Sequence, residues 1–254
     1  LHSFPTRRSS DLSGGIKTTL LNDNQDNIKE TILSESQGIM LEYAELTNDA
    51  ELFKTTLDYI NKYMKNDELV SWRVQDNNAS RVNAAIDDLR IYGALKEGFD
   101  KFGKNNKELR KYRKAIYKYN VEEGNLVDSY DFEYNQKAER LTLCYADFEV
   151  LKELSESDRR FKKVYKNSFD IVKNGYISDE FPLYYSWYNY KTKKYEKDDL
   201  NTAEAMVTLL HLAEKGELKQ STISWLKNAI KKDGILGKYT VDGNVVNGYE
   251  YESR

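Results

Sequence analysis

Apolar positions along this chain recur mostly at the three- and four-residue spacing of amphipathic helices. In SQGIMLEYAELTND, Ile39, Tyr43 and Leu46 fall on one face, with Met40 and Ala44 beside them. Asn48 and Asp49 read as turn or cap residues. AELFKTTLDYINKYM then continues as a second helix, apolar at Leu52, Phe53, Leu57, Ile60 and Met64. KNDELVSWRVQDNN predicts a loop with a short extended piece around residues 70–74. ASRVNAAIDDLRIYGALKEGFDKF returns to helix and offers Ala85, Leu89, Tyr92 and Ala94 to a core. Another helix is expected over about 107–119, and VEEGNLVDSYDFEYN reads as a long loop or short hairpin. NQKAERLTLCYADFEVLKEL predicts one helix, apolar at Leu141, Cys144, Tyr145, Phe148 and Leu151. SESDRRFKKVYKNSFDIVKNG predicts another, with Ser157 as its cap and Gly175 near its end. After a loop crossing Pro182, NTAEAMVTLLHLAEKG is a compact helix, and a short one lies near SWLKNAIKKDG. The tail ILGKYTVDGNVVNGYEYE predicts a small hairpin with Asp242-Gly243-Asn244 as its turn.

The count is eight or nine helices, which makes the expected fold all-α. Short turns alternate with three long connections, at 67–78, 121–135 and 176–199. Long connections on a helical scaffold are where sites are built. Two prolines in 254 residues suit that reading, because proline breaks helix interiors. The ends stand apart. LHSFPTRRSSDL shares no pattern with the rest of the chain and resembles translated adapter sequence, so residues 1–12 are expected to be a non-native arm. The chain stops at GYEYESR, where a polar turn leads toward a new element, so residues 13–254 are expected to form a single, truncated domain.

Lys plus Arg count 39 against 42 Asp plus Glu, a net charge of -3. No global positive field favours nucleic acid, and the basic stretch KELRKYRKAIYKY reads as a solvated helix face. One cysteine, Cys144, excludes a disulfide scaffold, and two histidines argue against a multi-histidine metal centre. His211 and Cys144 both lie on apolar helix faces and are expected to pack. No metal or cofactor is expected.

Three places carry candidate chemistry. Glu35 precedes or opens a helix, where a carboxylate is stabilised by free N–H groups. Its functional reading is a carboxyl kept protonated by a concave pocket and a nearby charge. Asp87 and Asp88 are adjacent helical positions about 100° apart, so one is expected to point inward and the other outward, with Arg90 able to neutralise either. Asp198 and Asp199 precede a helix that Asp199 could cap, and follow Tyr184, Tyr185, Trp187, Tyr188 and Tyr190. Rings and carboxylates together are the ingredients of a sugar site. Glycoside hydrolysis needs an acid for the glycosidic oxygen and a base for water, or a nucleophile.

SESQGIMLEYAELTNDAELFKTTLDYI resembles the S-E-G-Q-x-Y-G-M segment of glycoside hydrolase family 8. Ser36 stands where Gly is usual. LVSWRVQDNNASRVNAAIDDLRIYGAL is similar to the family's W-x-V loop and A-S-D-x-D-L-D-I-A helix, with Arg90 replacing an acid. The resemblance implies an (α/α)6 barrel of six helical hairpins, incomplete at its termini, and an inverting glycosidase acting on a β-1,4-linked glucan or exopolysaccharide. It implies Glu35 as general acid and Asp88 as the central carboxylate that binds and distorts the sugar. The base falls in YEKDDLNTAEAM, on Asp199 or Asp198, where the family's Y-D-A-x-R-x-P-W-R lacks its Arg and Trp; Asp131 is a further candidate. An acid–base separation of about 6.5–9.5 Å is then expected. Trp72, Tyr130, Tyr184, Trp187 and Tyr188 are candidate stacking platforms. The divergent motifs resemble relatives associated with exopolysaccharide, which implies a monomer acting on polysaccharide outside the cell or at its envelope. Competing readings are a catalytically inactive carbohydrate-binding barrel, a helical scaffold for protein partners, and a lyase on the same fold.

Overall fold

Small side chains, more than large apolar ones, decide how the first helices meet. The computed structural model describes residues 14–18, 31–103, 105–232 and 234–246. The arm expected at 1–12 and the GYEYESR end lie outside the described residues. Contacts divide the chain into two compact units, Leu1–Asn120 with Ser129–Lys137, and Val121–Asp128 with Ala138–Arg254.

The first unit's described helices are α1 (Ser34–Leu46), α2 (Ala50–Tyr59), α3 (Ala85–Phe102) and α4 (Asn106–Tyr119). Helix α1 buries Ser34, Gln37, Gly38, Leu41 and Ala44. The expected Ile39–Tyr43–Leu46 face is therefore not the packed one: Ile39 is 50% and Leu46 77% exposed. Gly38 explains the rotation, since a Cβ there would stand 3.0 Å from the Arg90 side chain and 3.4 Å from Ile91, both on α3. Counting apolar residues misses a face made of small ones. At Gly98 on α3 a Cβ would fall 2.2 Å from the Phe53 ring of α2, and Phe53 meets Phe99 edge-on at 6.3 Å. Leu41, Leu89, Ile91 and Leu95 are at most 1% exposed, each burial contributing about 1.5–3 kcal/mol. Asp49 accepts from Leu52 N at 2.9 Å and caps α2, which runs into a π turn at Ile60–Met64. Thr31–Leu33 pairs antiparallel with Arg73–Gln75, which pairs with Asn78–Ala79 through a turn at Asp76 and Asn77, both at positive φ.

The second unit holds α5 (Phe148–Ser157), α6 (Phe161–Asn174), α7 (Thr202–Glu214) and α8 (Gln220–Lys231). The single helix expected over NQKAERLTLCYADFEVLKEL is helical only from Phe148. Arg140–Thr142 is instead a strand paired with Trp187–Asn189, which pairs in turn with Lys194–Tyr195. The cause is Asp128, which takes the Thr142 N–H at 2.6 Å and its hydroxyl at 2.7 Å. That backbone donor is no longer available to a helix, and Asp147 starts α5 by accepting from Val150 N at 3.0 Å. Ser157 ends α5 instead of capping α6. Asn201, not Asp199, caps α7, accepting from Ala203 N at 2.9 Å and Glu204 N at 3.3 Å. Lys238–Tyr239 pairs with Leu200–Asn201. The expected turn comes next, with Gly243 at φ 83° and Tyr239 bridged to Val245.

Eight α-helices among the described residues agree with the helical reading. Purely all-α is too simple, because every long connection contains short antiparallel pairs. Among the described residues, no helix is long and apolar enough to cross a membrane.

Candidate active site

In the first unit, the chain enters α1 from the Thr31–Leu33 strand, so the first turn carries Ser34 and Glu35 straight off a sheet edge. Ser34 N donates to Trp72 O at 3.0 Å, which holds the tryptophan loop against the helix start. The Ser34 hydroxyl lies 2.5 Å from Asp87 Oδ2 and 3.2 Å from Trp72 O. Having one proton, it serves the carboxylate when Asp87 is ionised. When Asp87 is protonated, the acid can donate to Ser34 and Ser34 to Trp72 O. Trp72 is half-buried, and the Arg73 guanidinium lies 4.6 Å above its ring.

Glu35 is exposed, whereas Asp87 is 7% and Asp88 0% exposed. The expectation that one aspartate of the pair points outward is corrected: both are buried. Each has different company. Asp87 takes Arg90 Nη1 at 3.3 Å. Burial, aided by the charges of Glu35 and Asp88, pushes its carboxyl up to about 7, against the pull of Ser34 and Arg90. The carboxyl held near neutrality beside Glu35 is thus Asp87. Asp88 is enclosed by donors: Asn83 Nδ2 at 2.6 Å, Tyr112 OH at 2.7 Å, and Asn120 Nδ2 and Val70 N at 3.3 Å. Burial still raises it above the ordinary aspartate range. A carboxylate so surrounded ties α3 to α4 and has no face left for a sugar. Periodicity alone does not distinguish these two neighbours; the Ser34 contact, 53 residues away in sequence, does.

Tyr130 and Asp131 are held in the same unit by Asn83, whose Oδ1 accepts Tyr130 N at 2.6 Å. The Tyr130 ring clusters with Tyr119 at 4.8 Å and Phe132 at 4.9 Å. Asp131 Oδ1 accepts from Glu133 N at 2.8 Å and Tyr134 N at 3.0 Å, so its carboxylate organises its own turn.

The second unit has a cavity of about 380 Å³ whose walls include Arg140, Tyr145, Trp187, Asp198, Asp199, Glu204 and Lys238. Three residues expected to work together, Trp187, Asp198 and Asp199, therefore meet there. Trp187 Nε1 donates to Asp198 Oδ2 at 2.8 Å, and Arg140 lies 5.1 Å above the indole. Lys238 Nζ is 3.5 Å from Asp199 Oδ2. The other expected platforms are elsewhere. Tyr184 is 3% exposed and packs edge-on against Tyr176 at 5.4 Å; burial pushes its phenol up to about 12. Tyr188 packs edge-on with Tyr190 and Tyr195 at 5.6 and 5.0 Å. Tyr184 is thus a core residue and not a surface for sugar stacking. His211, 9% exposed, lies edge-on to Phe148 at 6.3 Å and packs as expected.

Two acids in this unit escaped the sequence reading. Asp128, 5% exposed, holds Arg140 Nε at 2.8 Å as well as Thr142, and burial raises its carboxyl. Glu204 sits in the first turn of α7 on the cavity wall, and burial, then the charge of Asp128, raises its carboxyl against Arg140. The N-x-x-E spacing from Asn201 could have drawn attention to Glu204; nothing local marks Asp128.

No family model matches the chain. Over 218 residues, 82% of its length, it is 28% identical to "Putative lipoprotein YdaJ" of Bacillus subtilis (strain 168), and it spans 58% of that relative's length. A solved structure described as a novel alpha-amylase from Clostridium perfringens is 31% identical, with a TM-score of 0.87, covering 97% of this chain and 75% of that one. Endoglucanase Cel10 of Klebsiella pneumoniae, a family 8 glycosyl hydrolase, superposes at a TM-score of 0.76 over 97% of this chain and 84% of its own, at 15% identity.

Proposed function

The chain belongs to the family of that Clostridium perfringens protein, as a divergent member of the family 8-like group, and from that premise we propose that it is a glycoside hydrolase acting on a polymeric glucan. In this reading the described helices belong to an (α/α)6 barrel. Glu35 protonates the leaving glycosidic oxygen, and Asp87 is the carboxyl beside it that binds the sugar, in place of the enclosed Asp88. Asp199 or Asp198 activates water for an inverting displacement. The observation that carries the proposal is the Ser34–Asp87 hydrogen bond at 2.5 Å, which ties the residue before Glu35 to a buried carboxyl.

Two linkages compete. The sequence motifs favour β-1,4. The relative at 31% identity is described as an alpha-amylase, which favours α-1,4. Reducing-end release from amylose and glycogen, against carboxymethylcellulose and mixed-linkage β-glucan, decides between them. Glu35→Gln is expected to keep the fold and lose nearly all hydrolysis on the preferred polymer; parental rates in that variant would remove Glu35 as the acid. Binding without new reducing ends on any of the four would favour the inactive carbohydrate-binding reading. The Bacillus subtilis relative's name supports action at the cell envelope, where a polysaccharide substrate is met outside the cytoplasm.

A further inference from the structure

Helix α4 (Asn106–Tyr119) is a basic stretch that the glycosidase reading leaves unused. It carries Lys107, Arg110, Lys111, Arg113, Lys114 and Lys118 against one acid, Glu108, in a chain whose net charge is -3. Its packed side is fixed: Tyr112, Ala115, Ile116 and Tyr119 are buried, and Tyr112 donates to Asp88 at 2.7 Å. Lys107, Arg110, Lys111, Lys114 and Lys118 share a sector of about 100° turned away from that core, spread over about 16 Å of helix axis. All five are exposed, and every residue of α4 in that sector is basic. Lys111 and Lys118 sit near acids, with Glu68 and Asp67 at 3.7 and 3.8 Å. Among the described residues, Lys107, Arg110 and Lys114 have no hydrogen bond or ion pair. Like charges at these i,i+3 and i,i+4 spacings weaken a helix, so an anion from outside the chain would be stabilising here.

We propose that this face of α4 rests on an anionic phospholipid surface. The proposal rests on the reading that the protein acts at the cell envelope, and on no assignment of the catalytic acids. Lysine is a compact charge on a flexible stem, so a row of four lysines and one arginine holds no single anion in fixed geometry. Such a row suits a plane on which singly charged headgroups repeat and diffuse. Each cation near that plane strengthens binding a few-fold. With no large apolar side chain in the sector, the helix stays at headgroup level and does not insert. Contact of this kind is weak and salt-sensitive by itself, and it orients a protein that a second attachment holds near the bilayer.

The test sediments the full chain with vesicles of phosphatidylglycerol and phosphatidylcholine, or of phosphatidylcholine alone. Binding is expected with the anionic vesicles only, and should fall as salt shortens the screening length from about 30 Å to about 8 Å. The triple variant Lys107→Gln, Arg110→Gln, Lys114→Gln should weaken it by about tenfold or more. Its melting temperature and its reducing-end release from soluble polymer should match the parent. A second triple variant, Lys152→Gln, Lys162→Gln, Lys227→Gln, removes the same charge from exposed positions on α5, α6 and α8 and should bind vesicles like the parent. Equal binding to neutral vesicles, equal losses in the two variants, or no binding to anionic vesicles would each overturn the proposal. Tighter binding to a soluble polyuronate at matched charge concentration would also overturn it and make an anionic polysaccharide the partner. Vesicle binding by a chain that releases no reducing ends removes only the hydrolase reading. Hydrolysis without vesicle binding removes only the membrane contact.

Discussion

Two adjacent aspartates with opposite duties show how much a single position can decide. Asp87 is held near neutrality by burial, so its proton affinity in the native state exceeds that of the unfolded chain. A carboxyl raised from 3.8 to about 7 on folding contributes stability that is fully present below pH 4 and is lost as pH rises to about 7. The full effect is on the order of 4 kcal/mol at 1.36 kcal/mol per unit. Melting temperatures from pH 4 to 8 should therefore fall less steeply with pH in Asp87→Asn than in the parent; parallel profiles would contradict the shift. Asp88 predicts a different outcome. Asp88→Asn presents an amide NH2 to four donors already aimed at the carboxylate, and should lower stability by about 3 kcal/mol, read as a lower urea midpoint. If Asp88 instead bound sugar directly, that midpoint would scarcely move while the KM for polymer rose.

Helices here are placed by what they lack as much as by what they bury. Gly38 lets α1 approach α3, and Gly98 receives the Phe53 ring. Gly98→Ala gains helix propensity of about 1 kcal/mol but overlaps an aromatic ring in a packed core, which costs about 1–3 kcal/mol. A net loss is expected, largely restored by Phe53→Leu in a double-mutant cycle; additive effects of the two changes would refute the contact. Asn201 starts α7 by accepting the Ala203 and Glu204 backbone N–H groups. Asn201→Ala should cost about 1 kcal/mol, read as a lower urea midpoint. The helix mistaken over residues 136–147 belongs to the same lesson: its apolar positions are genuine, with Leu141 and Cys144 buried at 0% and 3%, but Asp128 captures the backbone that a helix needs.

Across the chain, two units each close their own core, and the single cysteine reports on one of them. Cys144 is 3% exposed in the second unit, so a thiol reagent should leave it unmodified in native buffer and label it fully in denaturant. Rapid native labelling would mean that this unit opens readily. Helix number and the aromatic–acid segment at 184–199 were legible from spacing and composition, because amphipathic periodicity and residue chemistry are local properties, whereas Glu35 and the Asp87–Asp88 pair were joined in one reading by a family resemblance. Which aspartate stands beside Glu35, and why Tyr184 is core while Trp187 lines a cavity, were settled by contacts between residues far apart in sequence. Burial and proton affinity belong to the surroundings of a side chain, and those surroundings exist once the chain has folded.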